Sequence, residues 1–108
     1  MAKKPGQPVR GSSSGRPIMV LMDHLGQRWT LRILWELNSS ERLTFRELQA
    51  RCENVSPTLL NKRLKSLREL HLIDHMDGGY GLTTDGLELG EHLLALDSWS
   101  RKWARRVM

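Results

Sequence analysis

The chain has 108 residues and a mass of 12.5 kDa; 39% of its residues are apolar and 27% charged, and Cys52 is its one cysteine. A single core at this length buries most of what it can, so a second domain, an intrachain disulfide framework and global disorder are excluded. The net charge of +5 is unevenly placed: residues 1–16 and 99–108 hold eight basic side chains and no acid, leaving nine basic against twelve acidic residues from Pro17 to Ser98, a body of net −3.

Residues 1–15, MAKKPGQPVRGSSSG, offer almost nothing to bury and read as a mobile basic arm ahead of one domain over residues 16–108. The longest purely apolar run, Ile18 to Met22, is far too short for a signal sequence or a membrane span. With the lone cysteine it points to a protein of the reducing cytoplasm, with no membrane partner. A short helix is expected from Pro17 to Leu25, with Ile18, Leu21 and Leu25 on one face and Gly26 ending it. A second, from Arg28 to Asn38, repeats Trp29, Ile33, Leu34 and Leu37 at helical spacing and stops at Asn38, Ser39 and Ser40. Thr44 followed by Glu47 is a capping-box pattern for a helix over Phe45 to Arg51, which buries Phe45 and Leu48.

After the turn CENVS, Ser56 is placed to cap a helix whose first position is Pro57, where a missing N–H costs nothing. At about 100° per residue, Leu59, Leu60, Leu64, Leu67 and Leu70 fall on one side of it, and Thr58, Asn61, Lys62 and Lys65 on the other. Between Asn54 and Arg68 there are four basic residues and no acid, an island of positive charge in an acidic body that marks a localised polyanion site. Next, LIDHM and YGLT read as two strands separated by Asp77, Gly78 and Gly79, a hairpin signal. A last helix, Thr84 to Arg106, sets Leu89, Leu93, Leu96, Trp99, Trp103 and Val107 along one stripe.

The expected fold class is therefore mainly α with a small β-hairpin wing. Two helices joined by a short turn, the second capped and basic on its outer face, form a helix-turn-helix, and the hairpin makes it winged. Its first helix braces the second, whose outer face is then free to enter a DNA major groove. The sequence runs LGQRWTLRILWEL, LTFREL, VSPTLLNKRLKSLRELHLI and YGLTTDG, spanning about Arg16 to Trp103, resemble the HxlR-type branch of winged helix-turn-helix transcriptional regulators, related to the MarR group.

That resemblance implies a homodimer held by the terminal helices, with Ile18, Leu21, Leu93, Leu96, Trp99 and Trp103 as the contacting positions. It implies that two copies of Ser56 to Leu70 meet a pseudo-palindromic operator in double-stranded DNA. The DNA-contacting candidates are Thr44, Ser56, Thr58, Asn61, Lys62, Arg63 and Lys65, with Gly78 and Gly79 at the wing tip; the arm and the C-terminal turn add non-specific phosphate contacts. Arg16 stands where that branch usually carries a cysteine for oxidant sensing, so the thiol is missing. Thr44 replaces the family's usual Arg, and His71 a helix-ending Gly; the hairpin is shorter than usual.

Other readings of the same residues lead elsewhere. The basic helix could dock an acidic protein, and Arg63, nearer the apolar side, could pair with Glu36 or Glu47 instead of phosphate. Trp29, Trp35, Trp99 and Trp103 could line a pocket for a small aromatic effector, although core and dimer packing is the commoner use of Trp at helical spacing. Cys52 has no neighbouring His or second Cys and reads as a small buried hydrophobe. His71 and His75 have i, i+4 spacing but straddle a helix end without a third ligand, so no metal or other cofactor is expected. There is no nucleophile motif, glycine-rich phosphate loop or His-Glu-x-x-His, and an enzyme is not expected.

Overall fold

The computed structural model describes residues 1–38 and 41–108, which form five helices and one antiparallel hairpin. Helix α1 (Pro17–Leu25) begins on a proline and stops at Gly26. Helix α2 (Thr30–Asn38) starts two residues later than its apolar spacing suggests. The cause is Trp29, whose φ of 75° lies in the left-handed region, where a helix of L-residues does not propagate. The Thr30 N–H closes a turn on the Gln27 carbonyl at 3.1 Å, and the Trp29 carbonyl accepts the Ile33 N–H at 2.9 Å. A bulky side chain held at positive φ costs on the order of 1–3 kcal/mol, offset here by packing of the Trp29 ring on the core. The expected stop at Ser39 and Ser40 lies outside the described residues.

Helix α3 (Phe45–Arg51) carries the complete capping box: Thr44 Oγ1 accepts the Glu47 N–H at 3.2 Å, and Glu47 Oε1 accepts the Thr44 N–H at 2.9 Å. Helix α4 (Pro57–Glu69) starts on Ser56, whose Oγ accepts the Leu59 N–H at 3.2 Å. It ends one residue early because His71 takes φ 59°, the left-handed stop that a glycine would otherwise supply.

Strands β1 (Ile73–Met76) and β2 (Gly79–Leu82) pair in the register Ile73 to Leu82 and Met76 to Gly79. The turn is thus Asp77 and Gly78 alone. Gly79 belongs to β2 and is buried, which corrects its placement at the wing tip. Tyr80 exchanges two backbone bonds with Leu43 (2.7 and 3.0 Å), so the loop before α3 forms a third layer against the wing. At Gly79, φ is 116° and a Cβ would stand 2.2 Å from the Leu43 carbonyl oxygen, so only glycine permits this approach.

The core gathers Ile33, Leu34, Leu48, Cys52, Leu60, Leu64 and Leu67, each at most 2% exposed, and each leucine here contributes about 1.5–3 kcal/mol by leaving water. Phe45, Leu59 and Leu70 are half-buried at its rim. Helix α5 (Thr84–Val107) packs its first half on α2 and β2. Along its expected stripe Leu93 is buried and Leu89 half-buried, but Leu96, Trp99, Trp103 and Val107 are about half exposed. No helix among the described residues is long and apolar enough to cross a membrane.

Residues 1–15, expected as a mobile arm, are folded back on the domain. Gln7 closes a turn on Lys4 (3.0 Å), Val9 and Ser12 exchange two bonds (2.9 and 3.0 Å), and the Gly6 N–H reaches the Gly15 carbonyl at 2.9 Å. Gly15 is buried at φ 70°, and a Cβ there would overlap the backbone of Gln7. The Pro5-Gly6 pair is a turn signal in its own right, obscured by the absence of apolar residues around it.

Candidate nucleic-acid interface

The outer face of α4 follows from its inner one. With Leu60, Leu64 and Leu67 buried, helical geometry turns Thr58, Asn61, Lys62 and Lys65 outward, and all four are exposed. None of them takes part in an ion pair among the described residues, so the two ammonium groups are not neutralised by the chain itself. Ser56 is exposed at the head of the helix and spends its hydroxyl oxygen on the cap. Thr44 is exposed at the head of α3 and occupied in the same way.

Arg63 pairs with neither Glu36 nor Glu47 among the described residues. Its Nε donates to the Arg28 carbonyl at 2.8 Å, while Glu36 is held by Arg32 at 2.8 Å and Glu47 by the Thr44 cap. The reason lies in the turn at Trp29: Arg28 precedes α2, so its carbonyl stands outside the helical ladder and faces the flank of α4. Arg63 therefore ties the basic helix to the strained turn and keeps its terminal guanidinium nitrogens for other acceptors.

Three further supports were not visible as motifs. Arg32 joins α2 to the end of α3 by bonding Glu36, Glu53 (3.2 Å) and the Arg51 carbonyl (2.8 Å). Arg42 clamps the wing, pairing with Asp74 and donating to the Gly79 carbonyl at 3.1 Å; the bond to Asp74 raises the pKa of its guanidinium further. Thr83 caps α5 by accepting the Gly86 N–H (3.1 Å) and donates to the His71 carbonyl (2.7 Å), fastening α5 to the exit of α4. Thr83 leaves a trace in the sequence as a hydroxyl residue before an apolar run, and Arg32 with Glu36 as an i, i+4 pair. The other bonds of the two arginines span 19 or more residues of chain, which spacing does not reveal.

The remaining candidates are scattered. Cys52 is fully buried, and burial pushes its thiol pKa up, away from nucleophilic use. His71 ends α4, whereas His75 lies in β1 stacked on Tyr80 with ring centroids 4.1 Å apart; the described residues contain no metal-holding cluster. The tryptophans do not gather. Trp29 packs on the core, and Trp99 and Trp103 stack on each other 6.0 Å apart on the outside of α5. Trp35 lines an apolar groove of about 430 Å³ with Leu31, Leu93 and Leu96. Ile18 and Leu21 meet Leu93 and Leu96 along a second groove, of about 490 Å³, between α1 and α5.

Comparison with known proteins fits this geometry. The family model described as HxlR-like helix-turn-helix matches residues 24–108. The chain belongs to that family. As an HxlR-like protein it is a DNA-binding transcriptional regulator of the winged helix-turn-helix class. Among solved structures, a possible HxlR family transcriptional factor from Thermoplasma volcanium GSS1 is similar with 27% identity and a TM-score of 0.68, over 79% of this chain and 82% of that one. Quinone-bound YodB from B. subtilis shares the fold with a TM-score of 0.69 at 24% identity, over 79% of this chain and 94% of its own. No curated protein matches the chain.

Proposed function

We propose that this HxlR-like protein acts as a homodimer that inserts α4 of each subunit into successive major grooves of a pseudo-palindromic operator. The observation that carries the reading is the face of Thr58, Asn61, Lys62 and Lys65, exposed and outside every ion pair among the described residues, opposite the buried Leu60, Leu64 and Leu67. Asn and Lys present the donors and acceptors that adenine and guanine edges match, each good pair discriminating by about 1–3 kcal/mol. Backbone N–H groups at the start of α4, with Ser56, take phosphate, as do Thr44 and the terminal guanidinium nitrogens of Arg63. Gly78 is exposed at the wing tip and open to a phosphate; Gly79, buried, is left out of the interface.

The dimer reading is supported by what α1 and α5 leave uncovered. Of the expected contacts, Ile18 (57% exposed), Leu96 (58%), Trp99 (53%) and Trp103 (48%) leave apolar area uncovered, of the kind that marks an association site, whereas Leu21 is half-buried and Leu93 is buried within the subunit. A gel-shift with random duplex at low and moderate salt separates this function from docking of an acidic protein. A DNA binder loses affinity steeply with salt, and absence of binding at low salt rejects the regulator reading. Selection of bound fragments from a genomic pool then returns the operator, and a site without two-fold symmetry rejects the dimeric arrangement.

The groove beside Trp35 favours one addition, control by a small apolar or aromatic ligand. Quinone in the similarly folded YodB is a property of that protein; here the support is the apolar lining itself. Titration of tryptophan fluorescence with quinones, accompanied by DNA release at the same concentrations, is the test. No release at saturation removes the ligand from the reading.

A further inference from the structure

The first 15 residues lie ahead of the matched family region, yet they are seated against α4. The Ala2 N–H donates to Glu69 Oε1 at 2.7 Å. His24 Nε2 lies 2.7 Å from the Lys3 carbonyl oxygen, and because a carbonyl only accepts, the ring carries a proton on Nε2.

Both anchoring residues are otherwise unfavourable where they stand. Glu69 is the single acid of α4 and sits at its C-terminal end, where the helix macrodipole opposes a carboxylate. His24 is only 5% exposed, an imidazole buried beside Leu25 and Val20. Each is accounted for by its bond to the arm. The loop behind those bonds is closed by its own backbone bonds, so Lys3 and Lys4 are held in place rather than tethered.

The arm bonds α4 in its last turn, at Glu69. The leading outward residues Ser56, Pro57, Thr58 and Asn61 stay exposed, so the arm flanks the basic face without covering it. Between arm and helix lies a cleft of about 520 Å³ where Lys3, Lys62, Arg63 and Lys65 outnumber Asp23 and Glu69. Glu69 is already engaged by the Ala2 N–H. Lys3 Nζ uses one of its three donors on the Pro8 carbonyl at 2.7 Å, and both Lys3 and Lys4 are exposed.

We propose that His24 and Glu69 clasp the N-terminal arm beside α4, so that Lys3 and Lys4 bind a DNA backbone phosphate at the edge of the groove that α4 enters. This rests on the regulator reading above. The two anchors are positioning residues, and a pre-ordered arm avoids the ordering cost that a mobile one would meet on binding.

The test is DNA affinity of the full chain against salt, on selected and random duplexes. Lys3→Ala/Lys4→Ala is expected to weaken both duplexes alike and to lower the log–log salt slope by about one to two units. Glu69→Ala and Glu69→Gln both remove the negative charge, but only the glutamine keeps an acceptor for the Ala2 N–H. The clasp therefore predicts that Glu69→Ala binds several-fold more weakly than Glu69→Gln, and that adding Lys3→Ala/Lys4→Ala to Glu69→Ala costs little more. His24→Ala should behave like Glu69→Ala; where burial of His24 prevents that variant from folding, the Glu69 pair decides. Equal gains in affinity from both Glu69 variants, additive losses, or tighter binding after removal of the two lysines would each overturn the clasp. Failure of the regulator reading looks different: the unaltered protein then shows no salt-dependent binding, or Lys62→Ala/Lys65→Ala leaves binding unchanged.

Discussion

Helices α4 and α5 are both amphipathic, but the chain covers the apolar side of one and leaves much of the other bare. In α4, Leu60, Leu64 and Leu67 meet the domain's own core, and what faces water is charge. In α5 Leu93 is buried, but Leu96, Trp99 and Trp103 beyond it are about half exposed. An apolar stripe states that a face needs cover; whether the same chain or another supplies it depends on where the helix ends up relative to its neighbours.

Leucine truncation on each helix breaks that comparison most sharply. Leu64→Ala is expected to destabilise the fold by about 2–5 kcal/mol in urea denaturation, as for other fully buried leucines. Leu96→Ala, at 58% exposed, should change subunit stability by no more than about 0.5 kcal/mol, the range of a surface substitution; an equal loss from both would mean that the outer half of α5 folds back on its own domain. Next in size, Trp99→Ala/Trp103→Ala removes a stacked aromatic pair and should weaken self-association more than about tenfold, the cost of a modest interface hot spot. Sedimentation equilibrium reads this directly, and an unchanged dimer would move the interface elsewhere.

Lys62→Ala/Lys65→Ala probes the opposite face of α4. Unfolding free energy should stay within about 0.5 kcal/mol, while the salt slope of DNA binding falls by about one unit for each phosphate that a lysine no longer neutralises. A large drop in stability with an unaltered slope would assign these lysines to packing. The smallest effect concerns the helix that braces α4. Glu47 accepts the Thr44 N–H, and this bond holds its carboxyl below the ordinary glutamate range. A depressed folded-state pKa contributes stability that is present at neutral pH and lost as pH falls through the acid range. The stability difference between the protein and its Glu47→Gln variant should therefore shrink on acidification; a constant difference would show that the capping carboxylate does not carry it.

Much of this architecture is legible in the chain because its signals are local. Ser56-Pro57, the Thr44–Glu47 box and the Asp77-Gly78 turn fix helix starts and the wing within a few residues, and the leucine spacing of α4 fixes which side chains point outward. Where the structure departs from the sequence pattern, the determinant is distant or conformational. Trp29 looks helical by spacing yet takes a left-handed backbone because Gln27 and Arg28 turn ahead of it. Arg63 reads equally as an acid partner or a phosphate contact, and its Nε bonds a carbonyl 35 residues away. Gly79 looks like turn but is buried against Leu43. The arm looks disordered because folding there depends on Pro-Gly turns and on polar bonds to His24 and Glu69 rather than on apolar burial.

By itself the sequence determined the order of elements, the capped basic helix and the buried leucine side, since caps, turns and helical periodicity act within a few residues of each other. Tertiary structure alone decided that Arg42 holds the wing, that Arg63 holds the turn before α2 and that the arm lies along α4. Those bonds join residues far apart in the chain, and local propensity carries no record of which distant carbonyl or carboxylate a donor will meet.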